Sequence, residues 1–145
     1  MRCVVQRVRR ASVEVAGERV SEIGVGLLVL AGVAKGDTDE AMASAAKKIR
    51  ELRIFADPDG KMNLDVAAAG GAILAVSQFT LAGSIERGRR PSFDGAEEPG
   101  EAKRKFEIFV TALESTGIVV RTGVFREMMM VALENDGPVT FVYEG

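Results

Sequence analysis

Two unbroken apolar runs stand out along this chain, Leu27-Leu28-Val29-Leu30-Ala31-Gly32-Val33 and Ala72-Ile73-Leu74-Ala75-Val76. Runs of this length predict strands buried on both faces. Other segments alternate. Arg2 to Val8 reads as a strand rich in valine. Ser12 to Val15 and Val20 to Ile23 alternate on either side of Ala16-Gly17-Glu18, which is a hairpin pattern. Arg53-Ile54-Phe55 and the alternating Met62, Leu64 and Val66 flank Asp57-Pro58-Asp59-Gly60, whose second proline and fourth glycine fit a type I turn. Ile118 to Thr122, Met128 to Leu133 and Phe141-Val142-Tyr143 supply the last strands. Met129, Val131 and Leu133 share one face, and the three consecutive methionines read as core and edge packing.

Two segments change to helical spacing. Met42, Ala45, Ile49 and Leu52 recur on one face while Lys47, Lys48, Arg50 and Glu51 point away. Acidic residues open this helix, and Asp37 with Glu40 has capping-box spacing. The second helix starts on Glu97-Glu98-Pro99-Gly100-Glu101, carries the stripe Ala102, Phe106, Phe109, Val110 and Leu113, and ends at Gly117. Short strands mixed with two helices predict an α+β fold. Roughly nine to ten strand signals suggest a mixed, mainly antiparallel sheet curled toward a barrel, with both helices packed on it.

Composition narrows the chemistry. The 145 residues fit a single domain, residues 1–145, with enough apolar content for a core. No run is long enough to span a membrane, and the basic amino-terminal segment lacks a long apolar stretch, so a cytoplasmic protein is expected. A net charge of −2 excludes nucleic-acid binding by bulk attraction, leaving only a local basic patch. There is no histidine, which removes Ser-His-Asp and Cys-His nucleophile systems and histidine zinc sites. Cys3 is the only cysteine, so thiolate metal sites and intrachain disulfides are excluded too. No metal and no cofactor are expected. A general base here is a carboxylate, a lysine, a water or the substrate itself.

The second apolar run turns polar without a turn residue: Ser77-Gln78-Phe79-Thr80-Leu81. Leaving such groups buried and unpaired costs about 1–3 kcal/mol each. Either the strand emerges into a cleft there, or Ser77, Gln78 and Thr80 bind one another. An irregular cationic stretch follows, Gly83-Ser84-Ile85-Glu86-Arg87-Gly88-Arg89-Arg90-Pro91-Ser92-Phe93. Arginine suits bidentate phosphate recognition. Arg87, Arg89 and Arg90 are therefore candidates for a phosphate-contacting rim beside Ser77–Thr80, against the plain alternative of a solvated loop.

Near the end stands Asn135-Asp136-Gly137-Pro138-Val139-Thr140. A Gly-Pro pair between strands predicts a turn. Proline is also the residue before which a cis peptide is accessible, and cis geometry would aim two successive carbonyls nearly the same way. Glycine lets a ligand approach the backbone closely. Asn135 and Thr140 are placed to lock the turn from either side.

Taken together, Ser77-Gln78-Phe79-Thr80-Leu81, Gly88-Arg89-Arg90-Pro91-Ser92-Phe93 and Asn135-Asp136-Gly137-Pro138-Val139-Thr140 resemble the D-aminoacyl-tRNA deacylase family. The resemblance extends through Arg2-Cys3-Val4-Val5-Gln6-Arg7, Gly26-Leu27-Leu28-Val29-Leu30 and Lys61-Met62-Asn63-Leu64. The related branch that clears an L-alanine mischarge carries a different first motif, so the likeness is to the D-specific branch. The chain departs from the common pattern at Ala82-Gly83-Ser84, where an aromatic and an aspartate are usual, and at Arg126, where glycine is usual.

The resemblance implies the fold of that family and a homodimer. It implies hydrolysis of the ester joining a D-amino acid, or glycine, to the terminal adenosine of tRNA. The reacting group would sit on Ser77, Gln78, Phe79 and Thr80 of one subunit. Gly137 and Pro138 of the other would hold the α-ammonium group and exclude L side chains, with Asn135 and Thr140 supporting them. Backbone N–H groups near Gln78 and Phe79 would stabilise the oxyanion, with water attack assisted by the ribose 2′-OH; a covalent Thr80 nucleophile is the competing mechanism. The rival from another class is a non-catalytic RNA-binding module using the Arg87–Arg90 loop, although an aromatic stacking platform is missing, with no Trp and only Tyr143 as tyrosine. A small-molecule amino-acid binding protein would not need that arginine cluster.

Overall fold

The computed structural model describes residues 1–145. One long strand, β1 (Arg2–Val15), organises it. The sequence pattern predicts two strands here. No turn-forming residue lies between Val8 and Ser12, and the strand runs straight through. A two-residue turn then returns the chain as β2 (Glu18–Ile23). Ala16 and Gly17 both take positive φ there (51° and 80°), the hand a tight hairpin loop requires.

β3 (Gly26–Gly32) pairs antiparallel with the first half of β1. Helix α1 (Asp39–Arg50) follows, then a separate small hairpin of β4 (Phe55–Ala56) and β5 (Met62–Leu64). Its turn is held by the Asp57 carboxylate, which accepts from the N–H groups of Asp59 and Lys61 at 2.9 and 3.0 Å. β6 (Ala72–Ser77) pairs parallel with β3. After α2 (Pro99–Glu114), β7 (Val120–Thr122) pairs parallel with β6. The last strand, β8 (Met130–Glu144), runs antiparallel along the other edge of β1.

Parallel pairing requires long crossovers, and each of the two carries a helix. Both helices cover one face of the sheet, over Cys3, Val5, Leu27, Val29, Ile73 and Ala75. The sheet curls so that β2 approaches β6 and β7. Its concave side is filled by Val8, Ala11, Val13, Ile23, Leu28, Leu74 and Val76. Leucines 27 and 28 thus enter different clusters, which is why both central strands read as unbroken apolar runs. The architecture is α+β, with a barrel-like sheet and two packed helices.

Three local expectations are corrected. The helix α1 cap is Thr38, whose Oγ1 accepts from the Ala41 N–H at 3.2 Å; Asp37 instead accepts from the Ala34 N–H at 2.8 Å and pairs with the Met1 amino group at 2.7 Å. Met128 and Met130 are not packed, being 90% and 75% exposed. Gly137-Pro138 does not turn the chain. β8 passes through it as a bulge, with Arg7 alone on β1 facing residues 136–139 between the pairs Gln6–Thr140 and Val8–Asn135.

An ion pair nearly removed from water ties α2 to the end of β3. Lys105 Nζ donates to Glu97 Oε2 at 2.6 Å, and the Glu97 N–H donates to the Val33 carbonyl at 3.2 Å. The hydrogen bond from Lys105 is the main reason the Glu97 carboxyl lies below the ordinary carboxylate range. Its contribution is complete above the free glutamate value near 4.3 and is lost as pH falls below that, through the lower folded value. Lys105→Met removes the contribution at neutral pH. The difference in Tm between Lys105→Met and wild type is therefore expected to hold constant from pH 7 to about pH 5 and to shrink from there to about pH 3; a difference that stays constant down to about pH 3 would contradict this role for the pair.

Candidate active site

The parallel strands β3, β6 and β7 end on the same side of the sheet, the end at which open α/β sheets bind ligands. At the end of β6, Ser77 lies level with Ala31, and the Gln78 N–H extends the ladder by donating to the Ala31 carbonyl at 2.8 Å. The chain then enters a 3₁₀ turn, Phe79–Ala82. This turn lies directly over Gly32. A Cβ on Gly32 would stand 2.8 Å from both the Gln78 carbonyl oxygen and the Leu81 Cβ, so only glycine fits beneath it. Arg2 fastens the turn from below, donating from Nη1 to the Leu81 carbonyl at 2.9 Å.

Ser77 and Gln78 are half-buried, and Phe79 and Thr80 are exposed. Two of the three polar groups pair, Gln78 Nε2 donating to Thr80 Oγ1 at 2.5 Å, and the Ser77 hydroxyl takes no part. Phe79, 58% exposed, leans on Phe93 with ring centroids 5.2 Å apart. The N–H groups of Phe79 and Thr80 begin the 3₁₀ turn, where backbone donors have no partner inside the turn. The Gln78 N–H, expected beside that of Phe79 as an oxyanion donor, is already committed to Ala31.

Ser84 and Ser92 exchange two backbone hydrogen bonds, at 2.8 and 2.9 Å, and close the loop between them. That loop carries Arg87, Arg89 and Arg90 into solvent, and none of them makes an ion pair or a side-chain hydrogen bond. Just past the loop, the chain is tied to the segment that follows β3, where the Lys35 N–H donates to the Gly95 carbonyl at 2.9 Å. The four residues Ser77–Thr80 and the arginine loop thus share one end of the fold.

Gly137 and Pro138 do not join them within the chain. The Gly137-Pro138 peptide is cis and exposed. Asn135 Nδ2 donates to the carbonyls of Arg7 and Val139, both at 3.0 Å, while Thr140 Oγ1 accepts from Gln6 Nε2 at 3.1 Å. The bulge stands on β8, with β1 and β3 between it and β6. Three strand spacings are about 14 Å. The bulge is also level with Ile73 rather than Ser77, about 13 Å further along the strand.

Sequence reasoning missed the residue that carries this bulge. Arg7 Nε donates to the Asp136 carbonyl at 2.9 Å and faces the Asp136 carboxylate at 3.3 Å; its Nη1 donates to the Ile54 carbonyl at 2.5 Å. The side chain is largely buried. A signal was present, because alternation places Arg7 on the same face as the buried Cys3 and Val5. Cys3 itself is inert: burial chiefly pushes its thiol up to about 12.

Known proteins are similar to this chain in both sequence and fold. A family profile described as D-Tyr-tRNA(Tyr) deacylase matches residues 4–144. The chain belongs to the D-Tyr-tRNA(Tyr) deacylase family. Membership makes it an enzyme, a hydrolase. A D-aminoacyl-tRNA deacylase of Pelobacter propionicus is 57% identical over 145 residues, covering 99% of both chains. One from Geobacter sulfurreducens is 55% identical, covering 99% of this chain and 95% of the relative. Among solved structures, a c-Myc DNA unwinding element binding protein superposes with a TM-score of 0.94 at 39% identity, over 100% of this chain and 99% of the other. A probable eukaryotic D-amino acid tRNA deacylase superposes with a TM-score of 0.80 at 18% identity, over 98% and 97% of the two chains, which is a likeness of fold. No helix in this deacylase-family chain is long and apolar enough to cross a membrane.

Proposed function

We propose that this enzyme works in the cytoplasm as a homodimer that hydrolyses the ester between a D-amino acid and the terminal adenosine of tRNA, accepting glycine and excluding L-amino acids. The carrying observation is the separation just described. Gly137 and Pro138 are solvent-exposed and about 14 Å across the sheet from the Ser77–Thr80 strand, which supports their delivery to the site by a second copy. β8 has the surface for this. It is a long edge strand, and Met130, Phe141 and Val142 on it are exposed.

Chirality is difficult to read by attraction, since both enantiomers offer the same groups. It is readily read by a wall. Backbone carbonyls of the partner's Gly137 and Pro138 would receive the α-ammonium group and leave no room for a side chain on the L side. Glycine has no side chain to exclude and passes. Asn135 and Thr140 hold the wall in place.

An aminoacyl ester is already activated, so positioning a water and stabilising an oxyanion are sufficient. Thr80 Oγ1 accepts from the Gln78 amide, and no side-chain base is bonded to it, which favours water attack assisted by the ribose 2′-OH over a threonine nucleophile. The N–H groups of Phe79 and Thr80 would receive the developing charge. Arg87, Arg89 and Arg90, free of intrachain partners, would meet tRNA phosphates.

The test is hydrolysis of D-tyrosyl-tRNA and L-tyrosyl-tRNA at equal enzyme concentration. Loss of the D-ester at least about 100-fold faster than the L-ester is expected, the order of discrimination that pocket shape alone supplies. Equal hydrolysis of both leaves an esterase without the wall. Hydrolysis of neither, with tRNA bound in a salt-sensitive way, favours the RNA-binding reading of the arginine loop.

A further inference from the structure

Only two non-glycine residues take positive φ: Ala16, explained by its hairpin, and Arg126 at 67°. Arg126 lies in the exposed connection between β7 and β8. A Cβ disfavours that backbone region, and glycine would occupy it freely. Nothing within the chain repays the choice of arginine. The Arg126 guanidinium makes no ion pair and no side-chain hydrogen bond, and neighbouring Glu127 is also unpaired. A non-glycine outlier with an unused cation on a surface turn suggests a ligand.

The turn's position identifies the ligand. β7 runs parallel to β6 with Thr122 level with Ala75, and the Gly123 N–H donates to the Ala75 carbonyl at 3.3 Å. Continued in that register, residues 124–126 fall level with Ser77 to Phe79, one strand spacing from the end of β6. The backbone there is anchored. The Phe125 ring centroid is 6.5 Å from that of Phe106 on α2, and the Glu127 N–H closes the turn on the Val124 carbonyl at 3.2 Å. The arginine loop, by contrast, leaves the 3₁₀ turn that packs over Gly32 of β3, and the chain past it is tied to the segment following β3. The end of β6 is thus flanked by unpaired arginines on both sides.

We infer that Arg126 is a phosphate-binding residue, meeting a phosphodiester of the RNA strand that leads away from the terminal adenosine, on the β7 side of the site. Arg87, Arg89 and Arg90 grip the strand from the β3 side. The inference rests on the deacylase reading of the substrate. Guanidinium suits the role, because it presents a planar fork of donors to phosphate oxygens and keeps its charge at every working pH.

The experiment compares wild type, Arg126→Gly and Arg126→Lys on two substrates: D-tyrosyl-tRNA, and the D-tyrosyl ester of adenosine, which has no phosphate. Arg126→Gly is expected to raise KM for the tRNA ester about three- to tenfold with kcat unchanged, and to lower the salt dependence of log KM by about 1. It is expected to leave the adenosine ester untouched and to keep or raise Tm by about 2–4 °C, since glycine relieves the backbone. Arg126→Lys is expected to retain most of the affinity. An unchanged KM for the tRNA ester overturns the inference. An equal loss on both esters also overturns it, by showing a structural role. Wild type inactive on both esters overturns the deacylase reading, and this inference with it.

Discussion

Arg7→Ala is expected to cost both stability and chiral discrimination, and the second loss sets it apart from an ordinary core lesion. The guanidinium supplies hydrogen bonds to the carbonyls of Asp136 and Ile54 and faces the Asp136 carboxylate. Hydrogen bonds from a charged donor are worth about 1.5–3 kcal/mol each, and truncation leaves both acceptors short of a partner in a largely buried space. A loss of roughly 2–4 kcal/mol follows, or about 5–12 °C in Tm for a domain of this size. Asp136 immediately precedes Gly137, so the same substitution frees the bulge that is proposed to exclude L-amino acids. Hydrolysis of D-tyrosyl-tRNA is expected to fall at least about tenfold while the ratio of D to L hydrolysis collapses toward unity, because small misplacements of a positioning group are expensive. Lys105→Met is the control. It loosens the fold through the Glu97 pair, which bonds to Val33 and makes no contact with the bulge, and should leave the D-to-L ratio intact. If Arg7→Ala loses Tm but keeps the ratio, Arg7 supports the fold and does not position the wall.

What could be read from the sequence follows how local each structural cause is. Leu27–Val33 and Ala72–Val76 announced central strands because each is covered on both faces, by helices on one side and by the Val8–Val76 cluster on the other. The stripes Met42, Ala45, Ile49, Leu52 and Ala102, Phe106, Phe109, Val110, Leu113 announced the helices, since all of those residues are buried except Leu52 and Val110, which are half-buried. Ser77–Thr80 and the arginine loop were visible as a unit because they are contiguous and lie at a strand end. The failures are non-local. Whether Gly137-Pro138 turns the chain or bulges is decided by β1, which pairs with β8 on both sides of it. Arg7 could be seen to face the core, but its partners lie 47 and 129 residues away. The Gln78 N–H was available as an oxyanion donor until the parallel pairing with β3 assigned it to Ala31.

Gly137→Ala is expected to lower kcat/KM for D-tyrosyl-tRNA about 100-fold while costing the fold only about 1–3 kcal/mol. A Cβ at position 137 would run into the Asn135 side-chain oxygen and stand 3.1 Å from the Val139 nitrogen. The Asn135 amide cannot simply rotate aside. Its nitrogen donates to the carbonyls of Arg7 and Val139, one across to β1 and one back to the strand beyond the bulge. Relief of the clash must break one or both bonds, each worth about 0.5–1.5 kcal/mol net, or displace the glycine itself. Displacement of the backbone by about 1 Å at a group proposed to position substrate is enough for a loss of about 100-fold. The two routes separate in a double-mutant cycle. If alanine at 137 acts by expelling the Asn135 amide, Asn135→Ala alone should reproduce most of the stability loss, and the double variant should be little worse than either single one. Strict additivity of the two stability losses would mean that Asn135 does not hold Gly137 in place, and that the activity lost in Gly137→Ala reflects direct contact between the new methyl group and the substrate.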